Sequence, residues 1–139
     1  MAGEADEDRD LTEQGRAELE QQCERLRKLG FSCDALWHSP WLRARRTAER
    51  LAALVGVTPT VHLGLCSELE SPAGRALLSE AALAGRASRL VLVGHQPWLA
   101  NIAQHLGAAE VRDLECAEVV WLVAQGDGRW AVHARLSPG

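Results

Sequence analysis

The chain has 139 residues, 47% of them hydrophobic and 24% charged, and a net charge of −4. At about 100–200 residues per domain, this is one domain spanning 1–139, large enough to build a core without disulfides or metal. The composition excludes disordered and collagen-like chains, and the acidic balance excludes a nucleic-acid binder that works by neutralising phosphates in bulk.

The longest apolar runs, such as Leu90-Val91-Leu92-Val93, fall far short of the ~20 residues that a membrane span needs. The acidic N-terminus carries neither the basic stretch nor the apolar run of a secretory signal. Cys23, Cys33, Cys66 and Cys116 show no Cys-x-x-Cys spacing, so reduced thiols in a cytoplasmic protein are expected. Charge is uneven along the chain. The first twenty residues sum to −6, whereas Arg43, Arg45, Arg46 and Arg50 cluster around the single acid Glu49. A cationic patch on an acidic protein suits a small anionic ligand, although a solvated helix face gives the same pattern.

The first element opens at Thr12, a good N-cap, and carries Leu19, Cys23, Leu26 and Leu29 at helical spacing before Gly30. A helix over about 12–29 is predicted. Residues 33–38 form a short half-apolar strand. Ser39-Pro40 then reads as the N-cap and first turn of a second helix that stops at Gly56. Its buried stripe is Ala44, Thr47, Ala48, Leu51, Leu54 and Val55, with Arg43 at the stripe's border in the first turn.

Residues 57–65, interrupted by Pro59, give a short edge strand, and 73–84 give a third helix ending at Gly85. Residues 89–93 are the apolar run of a strand buried on both faces of a parallel sheet. Gly94-His95-Gln96 joins that strand to a helix from Pro97 to Gly107, and 117–124 with 129–136 form a hairpin around 125–128. The fold expected is an α/β three-layer sandwich, a mostly parallel sheet with an antiparallel edge hairpin.

Two strand-to-helix junctions, Ser39-Pro40-Trp41-Leu42-Arg43 and Gly94-His95-Gln96-Pro97, lie where open α/β sheets gather ligands. Helix N-termini there offer N–H groups and partial positive charge. Each junction also brings a donor for an anion, the guanidinium of Arg43 and the imidazole of His95. An arginine in a first turn opposes the helix dipole unless an anion shares the site. A phosphate or carboxylate site is the functional reading. The structural one pairs Arg43 with the acidic N-terminal segment and makes His95 a turn residue. Trp41 and Trp98 are pocket walls or core residues.

Ser39-Pro40-Trp41-Leu42-Arg43-Ala44-Arg45-Arg46-Thr47-Ala48 resembles the Ser-Pro-x-x-Arg-Ala-x-x-Thr-Ala block of the histidine phosphatase superfamily, and Val91-Leu92-Val93-Gly94-His95-Gln96-Pro97 resembles its second-histidine block. Arg9-Asp10-Leu11-Thr12-Glu13-Gln14-Gly15 is similar to the Arg-Pro-Leu-Thr-x-x-Gly loop of its SixA-type phosphohistidine phosphatases, with Asp10 in place of proline, and the closing hairpin through Leu136-Ser137-Pro138 fits that branch. The resemblance implies a phosphoglycerate mutase-like sandwich and transfer of a phosphoryl group to a histidine and then to water. It implies Arg9, Arg43 and His95 as phosphate-binding residues, with His95 and Arg43 serving catalysis, and no metal or organic cofactor. It also implies a phosphorylated protein as partner, either a histidine phosphotransfer domain or a phosphotransferase-system protein, in signal transduction. A chain this short leaves no room for a lid, which suits a protein-borne substrate. Neither nucleic acid nor membrane is a partner in this reading, and monomer and dimer are both open.

The family motif Arg-His-Gly-Glu-Ala aligns with Met1-Ala2-Gly3-Glu4-Ala5. Ala2 therefore stands at the position of the nucleophile, and the strand before it is missing. Three readings follow: a shortened form of an active phosphatase, a pseudophosphatase that binds phosphate or a phosphoprotein, and an inactive remnant. The missing strand is expected to leave unpaired ladder groups at the centre of the sheet. Glu68 is a further candidate, because a related branch places a proton-donating carboxylate in that stretch. His38, His62, His105 and His133 match no motif and are read as structural or exposed.

Overall fold

The computed structural model describes residues 9–83, 88–108, 118–125 and 129–136, with the side chains of 108 and 133–136 outside the description. The Gly3-Glu4-Ala5 match, the helix stop at Gly85, Cys116, the hairpin turn at 126–128, the His133 side chain and Ser137-Pro138 lie outside the described residues.

Helix α1 (Glu13–Lys28) starts as its sequence dictates, with the Thr12 hydroxyl accepting from Gly15 N at 2.9 Å. It buries Leu19, Cys23 and Leu26, whereas Leu29, expected on the same stripe, caps the helix and is 73% exposed. Strand β1 (Ala35–His38) leads into α2 (Leu42–Val55), which buries Ala44, Thr47, Ala48 and Leu51. Helix α2 stops at Gly56, whose φ of 72° is the left-handed turn that glycine adopts without a Cβ clash. The expected edge strand shrinks to β2 (Thr60–Val61), and a 3₁₀ turn at Leu63–Cys66 takes up the rest. Then come α3 (Pro72–Ala82), β3 (Arg89–Val93), α4 (Trp98–Ala103), a π-helical turn over Gln104–Ala108, β4 (Val119–Ala124) and β5 (Trp130–Leu136).

The strand order is β2-β1-β3-β4-β5. Strands β2, β1 and β3 run parallel, while β4 is antiparallel to both β3 and β5. The expectation that β3 sits among parallel neighbours is therefore half right, since its second partner is β4. An apolar run reports burial on both faces but not the direction of the neighbour. The expected gap in the sheet is also absent among the described strands, because β3 is hydrogen-bonded on both sides, Leu36↔Val91 and Val91↔Trp121.

Strand alternation sends β3 side chains into two cores. Leu90 and Leu92 pack with Leu77 of α3 and Leu99 and Ile102 of α4. Val91 and Val93 pack with Leu19 and Leu26 of α1 and Leu51 of α2. The result is the expected three-layer α/β sandwich, with the carboxyl ends of β1 and β3 side by side at one edge. Cys23 and Cys33 are free thiols, and burial pushes Cys33 up to about 11. Among the described residues, no helix is long and apolar enough to cross a membrane.

Candidate functional site

The register His38↔Val93 places residues 39 and 94 next to one another, with Ser39 N donating to Val93 O at 3.0 Å. Glu118 joins the same edge, since β4 begins opposite Val93 and Gly94 N donates to Glu118 O at 2.9 Å. The two junctions singled out in the sequence therefore meet, and a third segment from far down the chain meets them.

Ser39 does something other than the expected capping. Its hydroxyl, fully buried, lies 2.6 Å from Nε2 of His95 and accepts from Trp41 N at 3.3 Å. The N-cap of α2 is Trp41, and no side chain caps the helix. The first-turn N–H groups of α2 thus lack a side-chain acceptor, which is the state that favours an anion at a helix start. The other junction differs. Helix α4 is only six residues long, and its first turn is already occupied, with Leu99 N on His95 O and Ala100 N on Oε1 of Gln96. The anion-binding N-terminus expected after His95 is not formed.

Trp41 contacts both Arg43 and His95. The His95 ring stacks on it at a centroid separation of 4.0 Å and 28°, and the Arg43 guanidinium sits 5.8 Å from the same ring's centroid. Trp98 meets Trp41 edge-on at 6.2 Å. Such contacts are worth about 0.5–1.5 kcal/mol each and fix orientation. Burial, together with the Arg43 charge, holds the His95 imidazole down at about 4, so it is neutral at pH 7. Burial pushes the Glu118 carboxyl up, and Arg43 pulls it partly back.

Arg9, Arg43 and Glu118 line one cavity of about 120 Å³ together with Asp10 and Thr12. Asp10 pairs with Arg16 at 2.8 Å and Arg46 at 3.7 Å, so the acidic segment neutralises these arginines and leaves Arg43 without an ion pair among the described residues. Among the described residues of that segment, Asp10 is not the partner of Arg43. Glu68 is placed elsewhere. It is exposed and lines a separate groove of about 430 Å³ with Glu70, Asn101, Gln104 and His105. Of the unmatched histidines, His38 is buried with Nδ1 donating to Ser39 O at 2.8 Å, and His62 bridges Gly64 N and the Glu80 carboxylate. Among the described residues, no three His, Cys, Asp or Glu side chains form a metal-binding group.

Residues 3–69, which take in Arg9 and Arg43, match the model of the Histidine phosphatase superfamily (branch 1). The fold agrees. Protein histidine phosphatase SixA complexed with tungstate superposes with a TM-score of 0.69 at 22% identity, covering 99% of this chain and 90% of that one. Phosphoglycerate mutase from Plasmodium falciparum does so with a TM-score of 0.65 at 13% identity, covering 92% and 86%. Residues 3–69 thus match the histidine phosphatase superfamily in sequence, and the chain shares the fold of these two structures. An uncharacterized protein of Picosynechococcus sp. is 42% identical over 100 residues, which is 71% of this chain, and the match spans 60% of that protein's length. Glu118 and the true partner of Ser39 were missed in the sequence. Both depend on contacts between segments more than 50 residues apart, for which local pattern has no signal.

Proposed function

We propose that the chain is a phosphohistidine phosphatase of the SixA type that acts on a phosphoryl group carried by a histidine of another protein. The observation that supports this reading is that Arg9 and Arg43 line one cavity while Arg43 and His95 both contact the ring of Trp41, at the start of α2. The Trp41 ring thereby ties the first turn of α2 to the β3–α4 junction. Phosphoryl transfer asks a protein mainly for position and cationic donors around the equatorial oxygens. Two guanidinium groups and an uncapped α2 N-terminus supply these. His95, neutral when the site is empty, gains a proton as a dianion arrives beside it. The nucleophile of such a reaction is a histidine that forms the covalent P–N bond.

A second reading keeps the anion site without the chemistry: a pseudophosphatase that binds a phosphoprotein without turning it over.

Binding and turnover are tested separately. Calorimetry with inorganic phosphate or vanadate is expected to show binding that Arg43→Ala weakens at least about tenfold, as expected for a lost charge-assisted hydrogen bond. Absence of binding, or binding indifferent to Arg43→Ala, removes the site. Turnover is read as phosphate release from a phosphorylated phosphotransfer domain. It is measured for this chain and for a version with an apolar strand ending in Arg-His ahead of Gly3. Release several orders of magnitude faster in the second is expected, because a covalent route needs the nucleophile. Equal rates would mean that another residue attacks phosphorus.

A further inference from the structure

The cavity holds a carboxyl group that the phosphate-binding reading leaves unused. Asp10 is occupied by Arg16 and Arg46, and the Thr12 hydroxyl by Gly15 N. Glu118 is different: it is partly buried, lines the cavity beside Arg9 and Arg43, and makes no side-chain hydrogen bond or ion pair among the described residues. Its backbone is pinned, since its carbonyl accepts from Gly94 N, one residue from His95. A carboxyl fixed beside two guanidinium groups in a space of about 120 Å³ meets any oxyanion that enters. As a carboxylate it repels that anion unless a proton lies between them.

The geometry points to Glu118 as a specificity-determining residue that makes this pocket select oxyanions by the proton they share with it. Hydrogen phosphate brings a P–OH that donates to the carboxylate. Sulfate carries no proton near neutral pH, so it enters only after Glu118 takes one from solvent. A phosphoryl group still attached to its carrier is in sulfate's position, and Glu118 must hold the proton in that complex. This inference rests on the reading of Arg9 and Arg43 as a phosphate site. Among the described residues, the charged and titratable groups nearest Glu118 are Arg9 and Asp10 from the segment before α1 and Arg43 from α2, with His95 next to Gly94, whose N–H donates to the Glu118 carbonyl. His95 responds to either anion and therefore does not discriminate between them.

The test is calorimetry on the intact chain with inorganic phosphate and sodium sulfate at pH 7.5, in two buffers of different ionisation enthalpy that count protons. Phosphate is expected to bind at least about tenfold more tightly than sulfate, the size of one good hydrogen bond gained against one unpaired. Each sulfate bound should take up about one more proton than each phosphate. Glu118→Gln, whose neutral amide donates to either anion, should bring the two affinities within about threefold and remove the difference in proton uptake. Equal affinities and equal proton counts in the unmodified chain overturn the inference even where phosphate binding is lost in Arg43→Ala, and so does a preference unchanged in Glu118→Gln. Binding of neither anion overturns the phosphate site and this inference together.

Discussion

His95 shows how one side chain ties stability to the site. Burial and the Arg43 charge hold it at about 4, against ~6.5 in an unfolded chain. Between these values the unfolded state binds the extra proton, so stability rises with pH across that window. The contribution is complete above pH ~6.5 and is lost as pH falls toward 4. At about 1.4 kcal/mol per pH unit it amounts to on the order of 3 kcal/mol. Glu118, pushed up by burial, has the opposite sign, because its folded form holds a proton that the unfolded form releases. Urea midpoints at pH 7.5, 5.5 and 4.5 should therefore fall steadily in the unmodified chain and fall less in His95→Gln. Parallel declines would assign the acid sensitivity to other groups. Short sequence blocks are what single out Arg9, Arg43 and His95 as candidates. The deciding features of their surroundings, Ser39 on Nε2 and Glu118 across the cavity, are set by which strands pair, which no single block reports.

Elements were legible where their signals are local. Thr12 caps α1 and Gly56 ends α2. Ser39 failed as a cap because the same hydroxyl has a better use, a buried bond to a residue 56 positions away. Gly74 in α3 carries a packing demand that its sequence hides. A Cβ there would overlap Glu68 O and lie 2.8 Å from Leu69 Cα. Replacing a helical glycine with alanine ordinarily stabilises by about 1 kcal/mol. Here the obstacle is backbone that cannot rotate away, so overpacking wins, typically by 1–3 kcal/mol or more. Gly74→Ala should lower the urea midpoint and shift the 67–71 segment, which Ser71 Oγ ties to Glu68 O at 2.6 Å. Unchanged or raised stability would show that α3 slides without cost.

At the scale of the molecule, the site is assembled by clamping one sheet from two sides. Arg43 rides on α2, which is anchored by Leu51 in the core shared with α1, Val91 and Val93. His95 sits at the end of β3, and α4 behind it is anchored by Leu99 in the opposite core with Leu92 and Leu77. Both leucines are fully buried, so Leu51→Ala and Leu99→Ala should each cost about 2–5 kcal/mol through lost burial and the cavity left behind. The sheet separates the two cores and the leucines share no cluster, so the costs should add within about 0.5 kcal/mol. A double variant near that sum, measured by urea unfolding in the presence of a stabilising osmolyte, would mean that the faces act independently and that the sheet alone sets the distance between Arg43 and His95. A cost well short of the sum would mean that releasing one helix already loosens the other. Anion affinity separates these cases directly. If the sheet sets the geometry, each single variant that remains folded keeps phosphate affinity within a few-fold, because the donors stay at the carboxyl ends of β1 and β3. If the helices set it, Leu51→Ala should weaken phosphate binding much as Arg43→Ala does.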